Sequence, residues 1–122
     1  MRWKTNDSTL TTTDATATNI YSFTLDDDSA YIVETQVIGF EAGGAEVASY
    51  YLRGVFYRTG AGNATQEGST DSVATDIESD GAWACVLQVS GGTAVRVRVT
   101  GDAANTVYWR AITTYTLVTD DS

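Results

Sequence analysis

The sequence has 122 residues, the length of one domain. Its 43% hydrophobic and 19% charged residues are typical of a globular chain and argue against a disordered one. The formal net charge is −9, from 16 acidic and 7 basic residues, which argues against nucleic acids and anionic membranes as partners.

Histidine is absent, and Cys85 is the single cysteine. A chain without histidine lacks the usual general base of catalytic triads and most ligands of catalytic zinc or iron. A single cysteine excludes an intrachain disulfide. The sequence contains no phosphate-binding loop and no dinucleotide-binding motif. We therefore expect a protein that is not an enzyme and that holds no cofactor or metal.

Residues 1–7 lack the apolar run of a signal peptide, and no run reaches the roughly 18 apolar residues of a membrane-spanning helix. These features predict synthesis in the cytoplasm of the producing cell, without export. A one-domain chain that starts at Met1 is also what we expect of a free-standing product.

The first thirteen residues differ from the rest because they are polar and rich in threonine. Such a segment is commonly a frayed terminus. The alternative is an arm that docks on a partner through Arg2, Trp3 and Lys4, with Trp3 as an aromatic anchor. The predicted organisation is an N-terminal arm at 1–13 and one β domain at 14–122.

Strand-like runs rich in Val, Ile, Thr, Tyr and Phe fill the domain, separated by turn signals and never interrupted by proline. Seven or eight short antiparallel strands are typical of an all-β, two-sheet β-sandwich or jelly roll. The predicted strands are Thr18–Leu25, Ala30–Glu41, Glu46–Thr59, Ser72–Ile77, Ala82–Ser90, Thr93–Thr100 and Thr106–Val118.

The last three strands show the clearest alternation. Val95, Val97 and Val99 alternate with polar residues, so one face of that strand is apolar. Gly91-Gly92 suits a tight hairpin to the preceding strand. A further turn at Gly101-Asp102 predicts that all three strands are sequential antiparallel neighbours. Trp83 and Trp109 fall in the apolar phase and are expected in the core.

Strands Ala30–Glu41 and Glu46–Thr59 carry apolar residues in both phases. A strand that is apolar on both faces is either central in its sheet or covered on its outer side by another chain. This pattern indicates an oligomer.

Two polar groups are candidate sites. Asp26-Asp27-Asp28 offers oxygens to calcium, but lacks the alternating spacing of calcium loops, which favours a solvated turn. Arg96, Arg98 and Arg110 fall in the polar phase of predicted neighbouring strands and are expected to form a basic stripe. That stripe either pairs with carboxylates across strands or meets the acid-rich N-terminal half of another copy or an acidic shell.

The segment from Val95 to Ala111, with its alternating valines, Gly-Asp turn and Trp-Arg-Ala strand, resembles small structural proteins of tailed bacteriophages. The threonine-rich segment Thr11–Thr16 and the strand Tyr51–Arg58 before a glycine-rich turn extend the resemblance over residues 9–118. These are packing and turn features, so the resemblance implies a virion β-sandwich without identifying functional residues.

The resemblance implies a structural protein of the virion, most concretely a capsid decoration or cement protein that binds the outer shell as a small oligomer, with a trimer expected. Its partners would be the major capsid protein or another virion protein. The candidate contact residues are Arg2, Trp3, Lys4, Arg96, Arg98 and Arg110. The alternative is a carbohydrate-binding module of a tail fibre or receptor-binding protein, with Trp3, Tyr21 and Tyr108 as the freer aromatic residues.

Overall fold

A computed structural model describes residues 3–120, which form eight β-strands and no helix. Alternating apolar residues and turn glycines place most strands where the sequence predicts them. The strands are β1 (Trp3–Thr12), β2 (Thr18–Thr24), β3 (Ser29–Glu41), β4 (Val47–Arg58), β5 (Ala64–Glu78), β6 (Ala84–Val89), β7 (Ala94–Thr100) and β8 (Val107–Thr119).

The strands form two antiparallel sheets. The larger sheet has the order β1-β8-β3-β4-β5, and the smaller sheet has the order β2-β7-β6. The predicted all-β, two-sheet sandwich is confirmed. Within residues 3–120, no helix is long and apolar enough to span a bilayer.

The core lies between the two sheets. Val95, Val97 and Val99 of β7 are fully buried, as their alternation predicts. Trp83 and Trp109 are each 2% exposed, and their ring centroids lie 5.5 Å apart. Both tryptophans are therefore core residues, as the sequence predicts.

The segment predicted to be an arm forms an edge strand where the structure describes it. β1 pairs with β8 over ten consecutive positions, from Trp3 opposite Thr116 to Thr12 opposite Val107. Its threonines suit a strand, and its polarity reflects an edge position with one face in water. The proposed separation at residue 13 therefore does not match the structure, because residues 3–12 belong to the larger sheet.

The C-terminal strands are predicted correctly in one pairing and wrongly in the other. β6 and β7 form the expected hairpin, closed by a hydrogen bond from Ser90 N to Ala94 O of 2.9 Å. β8, however, leaves β7 and joins the other sheet between β1 and β3. The link at Gly101–Thr106 is a crossover between the sheets.

β5 is longer than predicted. It begins at Ala64 instead of Ser72 and pairs with β4 through three shifts of register. Gly68 has a positive φ of 69° within this strand. A glycine at positive φ and a shifting register are features of β-bulges, which bend an edge strand and interrupt the apolar alternation. This irregularity hid the first half of β5 from the sequence pattern.

Trp109 connects three strands. Its ring lies over Gly39, its partner on β3, where an added Cβ would come within 2.6 Å of a ring carbon. Its indole N–H donates a hydrogen bond of 3.0 Å to Thr12 Oγ1 on β1. Thr12 is 5% exposed, so both partners of this bond are buried.

Gly39→Ala is expected to lower the free energy of unfolding by about 1–3 kcal/mol, because the methyl group overlaps the Trp109 ring and overpacks the core. Urea unfolding followed by tryptophan fluorescence measures the change. Gly81→Ala is the matched control, because a Cβ at Gly81 meets open space. Equal stability of the two variants would contradict the packing argument.

Thr12→Val keeps the side-chain volume but removes the acceptor for the Trp109 N–H, leaving a buried donor unpaired. We expect a loss of about 1–3 kcal/mol of stability. Thr11→Val, at an exposed position of the same strand, controls for the change in strand propensity. Thermal melts of both variants distinguish the two effects, and a Thr12→Val melt as high as that of the control would disprove the role of this bond.

Candidate functional site

The side of the larger sheet that points away from the core exposes many apolar side chains. We call it the outer face and define it on β1, β8, β3 and β4, where outward residues alternate with buried ones. These residues are Trp3, Thr5, Asp7, Thr9, Thr11, Tyr108, Arg110, Ile112, Thr114, Thr116, Val118, Ala30, Ile32, Glu34, Gln36, Ile38, Phe40, Val47, Ser49, Tyr51, Arg53, Val55 and Tyr57.

Nine large apolar or aromatic side chains on this face are between 37% and 60% exposed. They are Trp3, Ile32, Ile38, Phe40, Val47, Val55, Tyr108, Ile112 and Val118. The sequence has apolar residues in both phases of β3 and β4. In the structure one phase is buried in the core and the other points outward. Both strands are internal, yet nothing in residues 3–120 covers their outward side chains.

The strand register arranges the outward residues in rows. At one end of the face, Phe40 lies between Tyr108 and Val47 on the neighbouring strands. Near the other end, Ile32 lies beside Val55. The outer face therefore has two apolar ends, separated by a more polar middle.

The polar band in the middle consists of Glu34 and its neighbours across the sheet, Arg53 and Thr114. Glu34 Oε2 accepts a hydrogen bond of 3.1 Å from the Tyr51 hydroxyl. The Arg53 guanidinium lies 3.7 Å from the Asp71 carboxylate on β5, and both side chains are largely exposed. An exposed pair at this distance contributes little, so Arg53 is free to exchange its partner.

The charges of the outer face balance. It carries Asp7, Glu34, Arg53 and Arg110, two of each sign. Arg110 Nε donates to Asp7 Oδ1 at 2.9 Å, and this hydrogen bond lowers the pKa of Asp7. The four strands are formally neutral, and β5 adds Glu67 and Asp71 on the same side, opposite Val55 and Arg53, so this side carries −2 of the net charge of −9. Most of the excess negative charge therefore lies elsewhere on the molecule.

A shallow depression opens on the outer face towards β5. Its volume is about 430 Å³, and its lining includes Ile38, Tyr51, Ile77 and Ile112. Such an apolar lining suits an inserted side chain better than a polar ligand.

Of the predicted contact residues at the start of the chain, Trp3 and Lys4 lie in β1 and not in a free arm. Arg2 lies outside the described residues. Trp3 is 60% exposed and belongs to the outer face, whereas Lys4 is in the opposite phase of β1. Of the two described residues, Trp3 lies with the apolar surface.

The predicted arginine stripe is not formed. Arg96 and Arg98 lie on β7 in the smaller sheet, and Arg110 lies on β8 in the larger one. Arg96 Nε donates to Gln88 Oε1 at 3.0 Å, and Arg98 donates to the Ala17 carbonyl at 2.8 Å. A period of two shows which residues share a face of one strand, but not which sheet the strand joins.

The Asp26-Asp27-Asp28 turn uses its side chains for local structure. The Asp27 carboxylate lies 2.9 Å from the Arg58 guanidinium, and Asp28 Oδ1 accepts a hydrogen bond of 2.6 Å from Gly60 N. Asp28 has a positive φ of 49°, a conformation that aspartate tolerates in turns. These contacts hold the turn against the β4–β5 loop.

Sequence patterns did not reveal a second acidic group, at the end of the sandwich where β3 ends and β7 leads into β8. The carboxylate oxygens of Glu41, Glu46 and Asp102 lie within 4.8 Å of one another. Three oxygens are the type of ligand that calcium takes, but fewer than its usual six to eight. Asp102 is more than 50 residues from Glu41 and Glu46 in sequence, so no local spacing motif could have identified the group.

Burial and the neighbouring carboxylates perturb this cluster. Desolvation, together with Asp102 and Asp80, raises the pKa values of Glu41 and Glu46. At Asp102 desolvation acts in the same direction, but the polar groups around its carboxylate, first of all the Trp83 side chain, outweigh it and lower the pKa. The pKa values of the three carboxyl groups are therefore shifted in different directions.

Comparisons with known proteins bear on the fold. No protein-family model matches the sequence, and a search of curated proteins gives no significant match. Among solved structures, the crystal structure of the tailspike protein of Acinetobacter baumannii phage AM24 is similar, with a TM-score of 0.51 and 12% sequence identity. The match covers 95% of this chain and 26% of the tailspike chain. The chain thus spans about a quarter of that protein, and the likeness shows a shared fold.

Glu46→Gln is expected to raise the melting temperature at pH 7. A carboxyl whose pKa is raised in the folded state stabilises the fold below its ordinary value of 4.5, and this contribution is lost as pH rises through the folded-state pKa. The gain from Glu46→Gln should therefore shrink as pH falls from 7 towards 4.5.

Glu67→Gln, at an exposed position of β5, removes the same charge and serves as the control for the net charge of the molecule. Melting temperatures measured at several pH values compare the two variants. If the melting temperatures of both variants change with pH in the same way, ionised Glu46 does not destabilise the fold.

Proposed function

We propose that this chain is a non-enzymatic structural module of a tailed-phage particle. The observation that carries the proposal is the outer face, where nine exposed apolar side chains occupy a weakly charged surface of an acidic molecule. Large apolar patches on a folded chain mark surfaces that bind other proteins. The tailspike likeness supports a fold used in phage particles, and the resemblance of residues 9–118 to phage structural proteins agrees with it.

The chemistry of the side chains supports a non-catalytic role. The chain has no histidine, so Cys85 has no imidazole to activate it. Burial raises the pKa of the Cys85 thiol to about 12, which keeps it protonated at neutral pH. A thiol in this state is a poor nucleophile.

Within the particle, we favour decoration of the head. A decoration protein binds the assembled shell through contacts that are repeated many times, so that modest individual affinities add up through multivalency. Trp3 and Arg110 are the candidate contact residues that lie on the outer face. Arg96 and Arg98, on the smaller sheet, would contribute to a different contact.

A tail-associated module is the second candidate, and the tailspike likeness, which is one of fold, is compatible with it. In that role the chain would bind carbohydrate through exposed aromatic rings. Trp83 and Trp109 are buried and unavailable for this purpose, which leaves Trp3 and Tyr108, both more than half exposed, on the outer face. Tyr21 is partly buried and stacks on Phe23, with ring centroids 5.7 Å apart.

Immunogold electron microscopy of the source particles, with an antibody against this domain, tests the proposed function. Dense labelling over the heads is expected for a decoration protein. A few grains confined to the tail would support the tail-associated role instead, and a rise in melting temperature with members of a glycan panel would then identify the sugar. Particles without any label would overturn the assignment to the virion.

A further inference from the structure

The size of the outer face matches that of a protein–protein interface. β8, β3 and β4 are 12 or 13 residues long, so at roughly 3.3 Å per residue the face extends about 40 Å along the strands. Its four strands, each about 4.8 Å wide in the hydrogen-bonding direction, make it about 20 Å wide. The resulting area of about 800 Å² equals what each partner contributes to a standard-size interface.

The charge distribution indicates which partner fits. Two copies of a chain with a net charge of −9 repel each other over most of their surfaces. The outer face is less charged, because its two carboxylates and two guanidinium groups cancel and the neighbouring β5 adds only Glu67 and Asp71 on the same side. A second copy of this chain can therefore approach through this face with little electrostatic repulsion.

We infer that two copies of this chain pack outer face to outer face, with a two-fold axis that runs parallel to the strands between β3 and β4. Two sheets packed in this way lie about 10 Å apart, and their apolar side chains interdigitate. The inference does not depend on the proposed virion role, since it concerns the purified chain alone. With this axis β1 lies outside the overlap of the two copies, so Trp3 stays available for the proposed particle contact, whereas Arg110 on β8 is covered by the dimer.

The position of the axis follows from the polar band. Glu34 and Arg53 lie at the same level on adjacent strands. An axis parallel to the strands between them places Glu34 of each copy opposite Arg53 of the other. An axis across the strands through the polar band would instead place Glu34 opposite Glu34 and Arg53 opposite Arg53. Charge complementarity therefore selects the first arrangement.

The same axis brings the apolar ends together. Each residue of β3 then faces the residue of β4 that is its neighbour in the sheet, so Phe40 faces Val47 and Ile32 faces Val55 of the other copy. All four side chains are 40–51% exposed in the isolated chain. Their burial drives association, and the two ion pairs in the middle fix the register.

The test is sedimentation velocity of the purified chain over a concentration series up to roughly 100 µM, where an interface of micromolar affinity is almost fully formed. The expected species is a dimer. Arg53→Glu places carboxylates opposite each other across the axis and should weaken the dimer by about 10-fold or more. The double variant Glu34→Arg with Arg53→Glu exchanges the two charges and should restore it.

The matched control is Val86→Glu, which adds a charge at a 40% exposed valine on β6 of the other sheet and should leave the dimer intact. Ile38→Glu makes a comparable change on the outer face and should dissociate it. Circular dichroism checks that each variant is folded. A wild-type chain that stays monomeric, a trimer, or a dimer that neither Arg53→Glu nor Ile38→Glu weakens would overturn the inference.

Discussion

The fold depends on the side chain of Trp109. Its ring covers Gly39 on β3, its N–H bonds to Thr12 on β1, and its other neighbour is the Trp83 ring. One side chain thus joins the edge strand, the centre of the larger sheet and the segment that leads into β6. Because all these partners are buried, no water can replace a lost contact, and the arrangement of β1, β8 and β3 is strictly constrained.

This constraint also explains the two characters of the larger sheet. The inner residues of β3 and β8 are fixed by packing around Trp109, and strict alternation then directs the intervening residues outward. On β3 those outward residues include Ile32, Ile38 and Phe40, which no part of residues 3–120 covers. The apolar outward surface therefore follows from the alternation of this sequence and not from poor packing. A surface of this kind favours aggregation unless another molecule covers it.

The sequence predicts the strands in which apolar residues alternate with polar ones. It does not predict the features that depend on which strands pair with each other. The valines of β7, the buried tryptophans and the two-sided β3 and β4 were all visible as patterns. The strand character of Trp3–Thr12 was not, because an edge strand of threonines is stabilised by the backbone ladder with β8, whose residues are 95 to 113 positions away. For the same reason, the crossover of β8 and the meeting of Glu41, Glu46 and Asp102 could not be predicted, since both depend on contacts distant in sequence.

The pairing of β1 with β8 has a mechanical consequence. Trp3 lies opposite Thr116, so the start of β1 and the end of β8 are adjacent at the same end of the sheet. Tension applied between them pulls two antiparallel neighbours apart sideways, and their ladder hydrogen bonds break one pair after another instead of sharing the load. The domain would therefore unzip under a weak pull between its ends, while a load that enters across its sheets would be resisted by the whole core.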